Sequence, residues 1–466
     1  MDVIFKIPRR ARKLLESHCF QHTADDEVVR FGSLPWPSAY DKESFVRAIR
    51  PTMHTDRQKP ARPNLPPPSS IEEQFGVKLL FYSHYFAPSI GGVETIVLSL
   101  ARGLREVRTP NGATEFDLTL VTETPAEDFD DRLLPFRVLR QPSLSQLLRM
   151  IRSSDVIHVA GPALTPLLLG LLTQKPVVIE HHGFQTICPT GQLLIEPSGD
   201  PCPGHFMAGR DRECLRCRSN NNWLTSWKLW LLTFVRRFLC SRVSANIMPT
   251  EWLSGLIHLP NAVSIPHGIE TMARDSESPH SSGPPRIIFQ GRLVTTKGLP
   301  VLLEAASILR SENRAFELVV IGDGPERMAI EELAKKRQLS SCVHFVGRIA
   351  TADIDSAFRG ASIVVVPSLG GEVFGLVLAE NMSRGLPVVA SSIGCFAEVL
   401  GDAGLTFRVG DAKDLAQQIA RLLDDSALAS AIGSRARRRI FESYQRSHMI
   451  EAHAQLYRRL GGAEQT

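Results

Sequence analysis

The chain of 466 residues lacks several features that mark familiar protein classes. It contains no stretch of about 18 uncharged apolar residues, which argues against a transmembrane helix. Its first residues have no apolar core followed by small residues, so we expect no signal peptide. The formal net charge of +4 is small for this length, which gives no indication of a nucleic-acid-binding surface. We therefore expect a cytoplasmic protein, peripheral at the inner face of a membrane at most, whose eight cysteines are reduced.

Two nucleotide-binding fingerprints are also missing. The glycine turn Gly322-Asp323-Gly324-Pro325 follows an apolar run, but it is not a Gly-x-Gly-x-x-Gly sequence and no Walker lysine follows it. An NAD-dependent dehydrogenase is therefore disfavoured.

The chain divides into segments that differ in composition and hydrophobic periodicity. Its length predicts two or three domains of about 100–200 residues each. Apolar runs alternate with helical patterns in two series, which indicates parallel, doubly wound sheets. The last helical pattern covers Ala427–Tyr457. The predicted divisions are a Pro-rich N-terminal arm and linker at 1–75, one Rossmann-like domain at 76–267, a second at 268–440 and a C-terminal helix at 441–466. A cleft between two such domains is the usual place for a ligand.

Two glutamates stand eight residues apart after the apolar run Ile363–Val366. Glu372 lies in a glycine-containing loop and Glu380 lies on the helix that we predict at Phe374–Ser383. In open α/β sheets, ligands bind at the carboxyl ends of the strands, where loop amides and helix N-termini face the crevice. Helix capping and solvation are the alternative explanation for two such carboxylates.

A cationic loop follows the first strand of the second half. Arg292 and Lys297 are five positions apart in Gln290–Gly298. A guanidinium binds phosphate as a planar fork and an ammonium binds it as a mobile point charge. Both side chains can therefore converge on one diphosphate.

The motifs of the second half occur in a recognisable order. Gly-Arg-Leu and Lys-Gly in 291–298, Gly-Asp-Gly-Pro at 322–325, Val-His-Phe-Val-Gly at 343–347, Val-Pro-Ser at 366–368 and the glutamate pair resemble the donor-binding domain of family 4 retaining glycosyltransferases. The first half adds Gly91-Gly92-Val93-Glu94, His182-Gly183 and Ile265-Pro266-His267-Gly268, which resemble that family's acceptor domain and hinge. The resemblance implies an α/β GT-B fold, two Rossmann-like doubly wound domains facing a cleft.

The resemblance also implies roles for individual residues and a nucleotide diphosphate sugar as co-substrate. Glu372 would bind hydroxyls of the donor sugar, and Glu380 would hold the ribose. Arg292 and Lys297 would neutralise the diphosphate, and His182 would face the donor sugar. The remaining implied donor contacts are backbone groups: Gly91, Gly92, Gly291, Gly322, Val373, Phe374 and Gly375 near sugar and phosphates, and Gly347, Arg348 and Ile349 near the base.

The implied reaction needs no catalytic metal. The acceptor attacks from the face that the leaving group occupies; double displacement through a carboxylate is the alternative. Asp128-Phe129-Asp130 mimics a metal-binding Asp-x-Asp sequence but lies in the wrong half. Asn381 and Cys395 depart from the family pattern near the donor pocket, which leaves the sugar open. A non-catalytic nucleotide-sugar-binding module of the same fold remains the rival.

Four cysteines fall within one insert, 188–217. Cys188, Cys202, Cys214 and Cys217 have spacings that suit a loop closed by one tetrahedral zinc ion, with a structural role because four thiolates leave no open position. Unligated thiols or a disulfide are the alternatives.

An aromatic stripe with interspersed basic residues covers 223–239. It begins at Trp223 and continues through Trp227, Trp230, Phe234 and Phe238 at helical spacing. Such a helix binds acidic lipid surfaces, packs into a core or covers an acceptor groove. Peripheral membrane contact is thus one of three open interpretations.

Overall fold

A computed structural model describes residues 76–89, 91–127, 129–196, 198–217, 223–270, 283–350 and 353–462. The predicted arm at 1–75, most of the predicted linker between the domains and Asp128 of the Asp-x-Asp-like segment lie outside the described residues. The same holds for the last four residues of the predicted C-terminal helix.

The first domain is built on a parallel sheet whose described strands run in the order β3-β2-β1-β4-β5-β8-β9. Apolar runs buried on both faces explain the parallel arrangement, since β1, β4 and β5 lie between layers of helices. The strands are β1 Val77–Ser83, β2 Phe116–Thr122, β3 Arg137–Arg140, β4 Val156–Ala160, β5 Val177–Glu180, β8 Ala245–Met248 and β9 Ala262–Ser264, with a separate antiparallel hairpin of β6 Leu194–Ile195 and β7 Asp200–Pro201.

The helices of this domain follow the strands in alternation. They are α1 Gly92–Glu106, α2 Leu144–Ser153, α3 Leu164–Leu172, α4 Asp211–Arg216, α5 Trp223–Cys240 and α6 Glu251–Ile257. The start of helix α2 is fixed by local sequence, because Ser143 and Gln146 form a reciprocal capping box there. Helix α1 buries Ile96, Leu100 and Leu104 against the sheet.

The second domain repeats the architecture. Its described parallel strands run in the order β12-β11-β10-β13-β14-β15. The strands are β10 Arg286–Gln290, β11 Glu317–Ile321, β12 Val343–Gly347, β13 Ala361–Val366, β14 Val388–Ser391 and β15 Leu405–Phe407. The helices are α7 Leu299–Ser311, α8 Arg327–Lys336, α9 Ile354–Ala357, α10 Leu376–Ser383, α11 Gly394–Leu400, α12 Ala412–Asp424 and α13 Ser426–Ser443. The prediction of two doubly wound domains is confirmed.

The C-terminal helical stretch is split in two. Helix α13 ends at Ser443, and a second helix, α14 Arg446–Gly461, begins after Tyr444 and Gln445. Helix α14 returns to the first domain, where Met449, Ala454 and Tyr457 join the core below the sheet. Arg458 of α14 also forms an ion pair of 2.6 Å with Glu115 at the start of β2. The chain therefore crosses between the domains twice, and the crossings touch where the Ile269 amide donates to the Tyr444 carbonyl.

The described helices include none that combines the length and the apolarity needed to cross a lipid bilayer.

Candidate functional site

In both sheets the order in which successive strands are added reverses at one pair of neighbouring strands. In the second sheet, β10 and β13 are neighbours from which the strand order runs outward in opposite directions. Loops that leave such a pair of strands open a crevice at the carboxyl edge of the sheet, where ligands bind in this class of fold. The loop after β10 carries Lys297 and the loop after β13 carries Glu372. The predicted site loops are therefore direct neighbours.

Lys297 and Glu372 meet in the described structure. The Lys297 Nζ donates to Glu372 Oε1 over 2.5 Å, and Ser368 Oγ donates to the same oxygen over 3.0 Å. The Glu372 side chain retains 15% of its accessible surface and that of Lys297 retains 29%, so the pair stands at the surface of the crevice rather than in the core. A carboxylate and an ammonium held at one point can bind a polyol and a phosphate side by side.

Three helices point uncapped N-termini toward this region. Helices α1, α7 and α10 begin after Gly91, Gly298 and Gly375, and none of these caps has a side-chain hydrogen bond to the helix. The amide groups in the first turn of each helix therefore lack intrahelical acceptors and carry partial positive charge. Pro300 of α7 supplies no N–H, and the Glu94 carboxylate lies at the start of α1. The anion-binding capacity of these helix starts suits a diphosphate.

Close contacts bring these helix ends together. A Cβ placed on Gly92 would lie 3.2 Å from Leu376 Cδ1, so the starts of α1 and α10 touch across the two domains. Gly298 has a φ of +66°, and a Cβ there would lie 1.9 Å from the Pro367 carbonyl oxygen. Glycine is thus required for α7 to begin against the Glu372 loop.

The glycine turns of the second sheet form a row at its carboxyl edge. The Gly291 amide donates to the Ile321 carbonyl, and the Gly322 amide donates to the Gly347 carbonyl over 2.7 Å. A Cβ on Gly322 would lie 1.9 Å from the Gly291 carbonyl oxygen, so this turn too requires glycine. The predicted phosphate loop and base-contacting segment are thereby locked side by side. Arg292 and Arg348, which flank them, are exposed, and Ile349 packs against the second-domain core.

Glu380 occupies a more protected place on α10. Burial raises the pKa of its carboxyl, and the charge of Arg384 opposes that shift. Its neighbour Asn381 is fully buried and donates to Gln290 Oε1 over 3.1 Å and to the Val377 carbonyl over 2.7 Å. Asn381 therefore ties α10 to the end of β10 and does not face the crevice. Cys395, the second departure from the family pattern, is also fully buried, and its thiol donates to the Glu372 carbonyl.

His182 belongs to a buried network that the sequence did not reveal. Glu180, the last residue of β5, lies 3.5 Å from His182 Nε2, 3.2 Å from His158 Nε2 and 3.4 Å from His267 Nδ1. Burial by itself would raise the pKa of Glu180, but the facing imidazoles, His182 first, hold it well below its usual range. The buried Glu180 carboxylate therefore lies within ion-pair distance of His182. The only sequence signal was an acid that ends an apolar run just before two histidines.

Aromatic contacts connect the histidines of this network to Phe374, which follows Glu372 in the loop after β13. The imidazoles of His182 and His267 stack with centroids 5.3 Å apart, and His267 meets the Phe374 ring edge-on at 5.2 Å. Thr250 Oγ1 also donates to the Val373 carbonyl over 3.0 Å in a buried position. Ligand atoms of Glu180, His182 and His267 lie within 4.8 Å of one another, a spacing that suits a metal ion as well as shared protons. His182 of the first domain is therefore linked to Phe374 of the second domain through His267.

The four thiols of the insert and the aromatic stripe of α5 belong to neighbouring parts of the first domain. Cys188, Cys202, Cys214 and Cys217 are free thiols that line one small cavity in the insert. On α5, the Phe234 ring packs at 4.6 Å on Phe206 of the insert, and the Trp230 Nε1 donates to Asp211. Part of the stripe therefore covers the insert, while Trp223, Leu224 and Phe238 stay exposed.

Residues 272–439 match the family model described as glycosyl transferases group 1. The match covers most of the second domain. The chain is 34% identical to the phosphatidyl-myo-inositol mannosyltransferase of Mycolicibacterium smegmatis over 209 residues, which is 43% of this chain and 53% of that protein. It is 29% identical over 304 residues, 64% of this chain and 74% of the relative, to the α-D-kanosaminyltransferase of Streptomyces kanamyceticus. The chain thus matches about half the length of the mycobacterial mannosyltransferases.

Solved structures of the same fold extend the likeness over both domains. The Anabaena protein Alr3699/HepE, solved with UDP and glucose, aligns with a TM-score of 0.61 at 17% identity over 82% of this chain and 99% of its own. Sucrose-phosphate synthase from Thermosynechococcus elongatus aligns with a TM-score of 0.64 at 19% identity over 83% and 100% of the two chains. These similarities confirm the GT-B fold.

Proposed function

We propose that the protein is a retaining, metal-independent glycosyltransferase of the hexosyltransferase type. It moves a sugar from a nucleotide diphosphate sugar to a hydroxyl of a glycan or lipid-linked acceptor, in polysaccharide or cell-envelope glycan synthesis. The observation that carries the proposal is the Lys297–Glu372 pair, which lies at the switch point of the second sheet where uncapped helix N-termini converge.

The donor fits this arrangement by charge. The diphosphate would lie between the starts of α1 and α10 and attract Lys297 and Arg292. Lys297 moving toward phosphate would release Glu372 Oε1 to accept hydrogen bonds from sugar hydroxyls. The base would lie along Gly347, Arg348 and Ile349, and the ribose hydroxyls would reach Glu380. HepE was solved with UDP and glucose, which supports a nucleotide sugar as the donor.

Transfer requires one bond to form as another breaks. The acceptor oxygen bonds to the anomeric carbon while the bond from that carbon to the phosphate oxygen breaks. The electron pair stays on the phosphate oxygen, which takes the proton of the acceptor hydroxyl on the same face of the sugar. Preorganised cations and helix amides stabilise the growing phosphate charge, as donors in an oxyanion hole do. His182, held by Glu180, would face the sugar.

The acceptor is proposed from the relatives and from the surface. The mycobacterial relatives are phosphatidyl-myo-inositol mannosyltransferases, which favours a lipid-linked acceptor. The exposed apolar residues Trp223, Leu224 and Phe238 of α5 fit a peripheral contact with the cytoplasmic face of a membrane.

The decisive experiment offers UDP-, GDP- and ADP-sugars to the purified protein, with EDTA added at the start, and measures nucleotide release. We expect turnover with one donor class, undiminished by EDTA and with the anomeric configuration retained in the product. Glu372→Gln and Lys297→Ala should each lower turnover by about 10²–10³-fold because each removes a charge at the reacting centre.

Matched controls lie on one exposed helix face. Glu332→Gln and Lys336→Ala on α8 remove the same charges from exposed positions, so turnover should not change. Normal turnover in Glu372→Gln would overturn the assignment. Tight binding of a nucleotide sugar without turnover of any donor would instead support the rival, a non-catalytic binding module.

A further inference from the structure

The insert 188–217, which lies between β5 and α5, has little core of its own. Its regular structure consists of the two-residue strands β6 and β7 and the short helix α4. Among its described apolar side chains, Leu194 and Phe206 are buried in addition to two of its cysteines. Segments with so little apolar burial need a covalent or metal crosslink to hold one conformation.

The four cysteines of the insert come from three separate places along it and converge. Cys188 follows the turn after β5, Cys202 follows β7, and Cys214 and Cys217 lie on and just after α4. All four line a cavity of about 10 Å³, together with His205. That volume is about that of one water molecule or one small ion.

The donor set around the cavity favours zinc. Four cysteine sulfurs from three places in the insert converge on one cavity. Zinc accepts four thiolates in tetrahedral geometry, carries no redox chemistry and releases the thiol protons to solvent as it binds.

We propose that Cys188, Cys202, Cys214 and Cys217 bind one zinc ion that fastens the β6–β7 hairpin against the Lys297–Glu372 site. The thiolate ligands would leave no open position on the metal, so its role is structural.

Hydrogen bonds link the cavity to the hairpin. The Glu196 amide donates to Cys217 Sγ over 3.4 Å, a contact that a zinc-bound thiolate keeps. The Cys202 amide donates to the Leu193 carbonyl over 2.9 Å. Ligand residues thus hold both sides of the hairpin, and fixing the sulfurs would fix the backbone between them.

The hairpin in turn touches the two loops of the second domain that carry Glu372 and Lys297. A Cβ on Gly370, two residues before Glu372, would lie 2.7 Å from Leu194 Cδ2. A Cβ on Gly199 would lie 3.4 Å from Cγ2 of Thr295, two residues before Lys297. The insert therefore closes one side of the site that the proposed function uses, and a metal in the insert would control how firmly it does so.

The first test measures metal in the full-length protein. Zinc analysis of the purified chain should find one equivalent, and cobalt substitution should produce intense thiolate-to-cobalt absorption. Cys214→Ala with Cys217→Ala should remove both signals, whereas Cys342→Ala, which removes a buried thiol from the second domain, should leave them intact.

Two results would overturn the zinc site. One is wild-type protein with no zinc above the blank and no thiolate-to-cobalt absorption, a reading that does not depend on whether any variant folds. The other is full zinc content in the double variant. Neither depends on sugar transfer, so failure of this proposal is distinguishable from failure of the proposed function.

The second test asks what the metal holds. Hydrogen exchange should accelerate by at least about tenfold at the amides of Gly199 and Cys202 when zinc is removed, because their partners Ile195 and Leu193 lie in the hairpin. Amides of β14 serve as the internal control and should keep their protection. Unchanged protection of the hairpin in zinc-free protein would overturn the fastening role.

Discussion

The buried histidine of the last helix makes stability depend on pH in a way that can be calculated. His453 lies on α14 and is fully buried, and its Nδ1 donates to the Met449 carbonyl over 2.8 Å. Burial lowers its pKa from 6.5 to about 4; the Glu180 charge opposes this shift, and the charges of His158 and His267 add to it. The folded chain therefore keeps His453 neutral at a pH where the unfolded chain protonates it.

The direction follows from which state binds the proton. Between the two pKa values the unfolded chain binds more protons, so the free energy of unfolding rises with pH. The contribution is complete above about pH 6.5 and is lost progressively as the pH falls toward 4. With those values, lowering the pH from about 7.5 to about 5 costs the fold about 2 kcal/mol through this group alone. His181, whose pKa burial also lowers to about 4, adds a similar loss.

The measurement is chemical denaturation of the wild type and of His453→Gln at both pH values. Glutamine can still donate to Met449 but does not titrate, so the variant should lose about 2 kcal/mol less than the wild type on acidification. His448→Gln, an exposed histidine on the same helix, should behave as the wild type. An unchanged pH dependence in His453→Gln, or an equal change in His448→Gln, would refute the reasoning.

Two further predictions concern the site and its surroundings. Gly298→Ala should destabilise the fold by more than Gly410→Ala. Both glycines have positive φ, but only Gly298 faces a backbone oxygen, that of Pro367. Thermal unfolding should show a loss of about 1 kcal/mol for Gly410→Ala, from backbone strain alone, and a clearly larger loss for Gly298→Ala. Replacing Trp223 and Phe238 together by serine should weaken co-sedimentation with anionic lipid vesicles by about tenfold or more. Met328→Ser, which removes an 84% exposed side chain from the second domain, should not. Equal loss in both would mean that exposed apolar surface in general, and not this helix, binds lipid.

The fold class could be predicted from the sequence because each domain repeats the same alternation of strand and helix patterns. Apolar runs such as Ile363–Val366 alternate with helical patterns, and parallel strands buried on both faces leave little ambiguity about fold class. The family resemblance assigned both Lys297 and Glu372 to the donor, but only the structure shows that β10 and β13 are neighbours and that the two side chains meet. The start of α10 was predicted two residues too early, because Gly375 with its φ of +96° begins the helix at Leu376.

Other features depend on residues that are far apart in the chain. The Glu180 network gathers His158, His182 and His267, and His453 from the last helix adds to its field. No local pattern announces such a group, because its members meet only when β4, β5, the hinge and α14 pack together. The aromatic stripe of α5 also needed the tertiary structure, since Trp223 and Phe238 are exposed and Phe234, itself 43% exposed, packs on Phe206 of the insert.

The sequence by itself determined the two doubly wound sheets, the glycine turns and the charged loops, because these depend on periodicity and on backbone conformations that few residues adopt. The tertiary structure alone decided that α14 returns to the first domain, that the Glu180 carboxylate lies beside the His182 ring and that the cysteine insert touches the loop of Glu372. Those outcomes depend on how finished elements pack against one another, and packing is a property of surfaces assembled from distant parts of the chain.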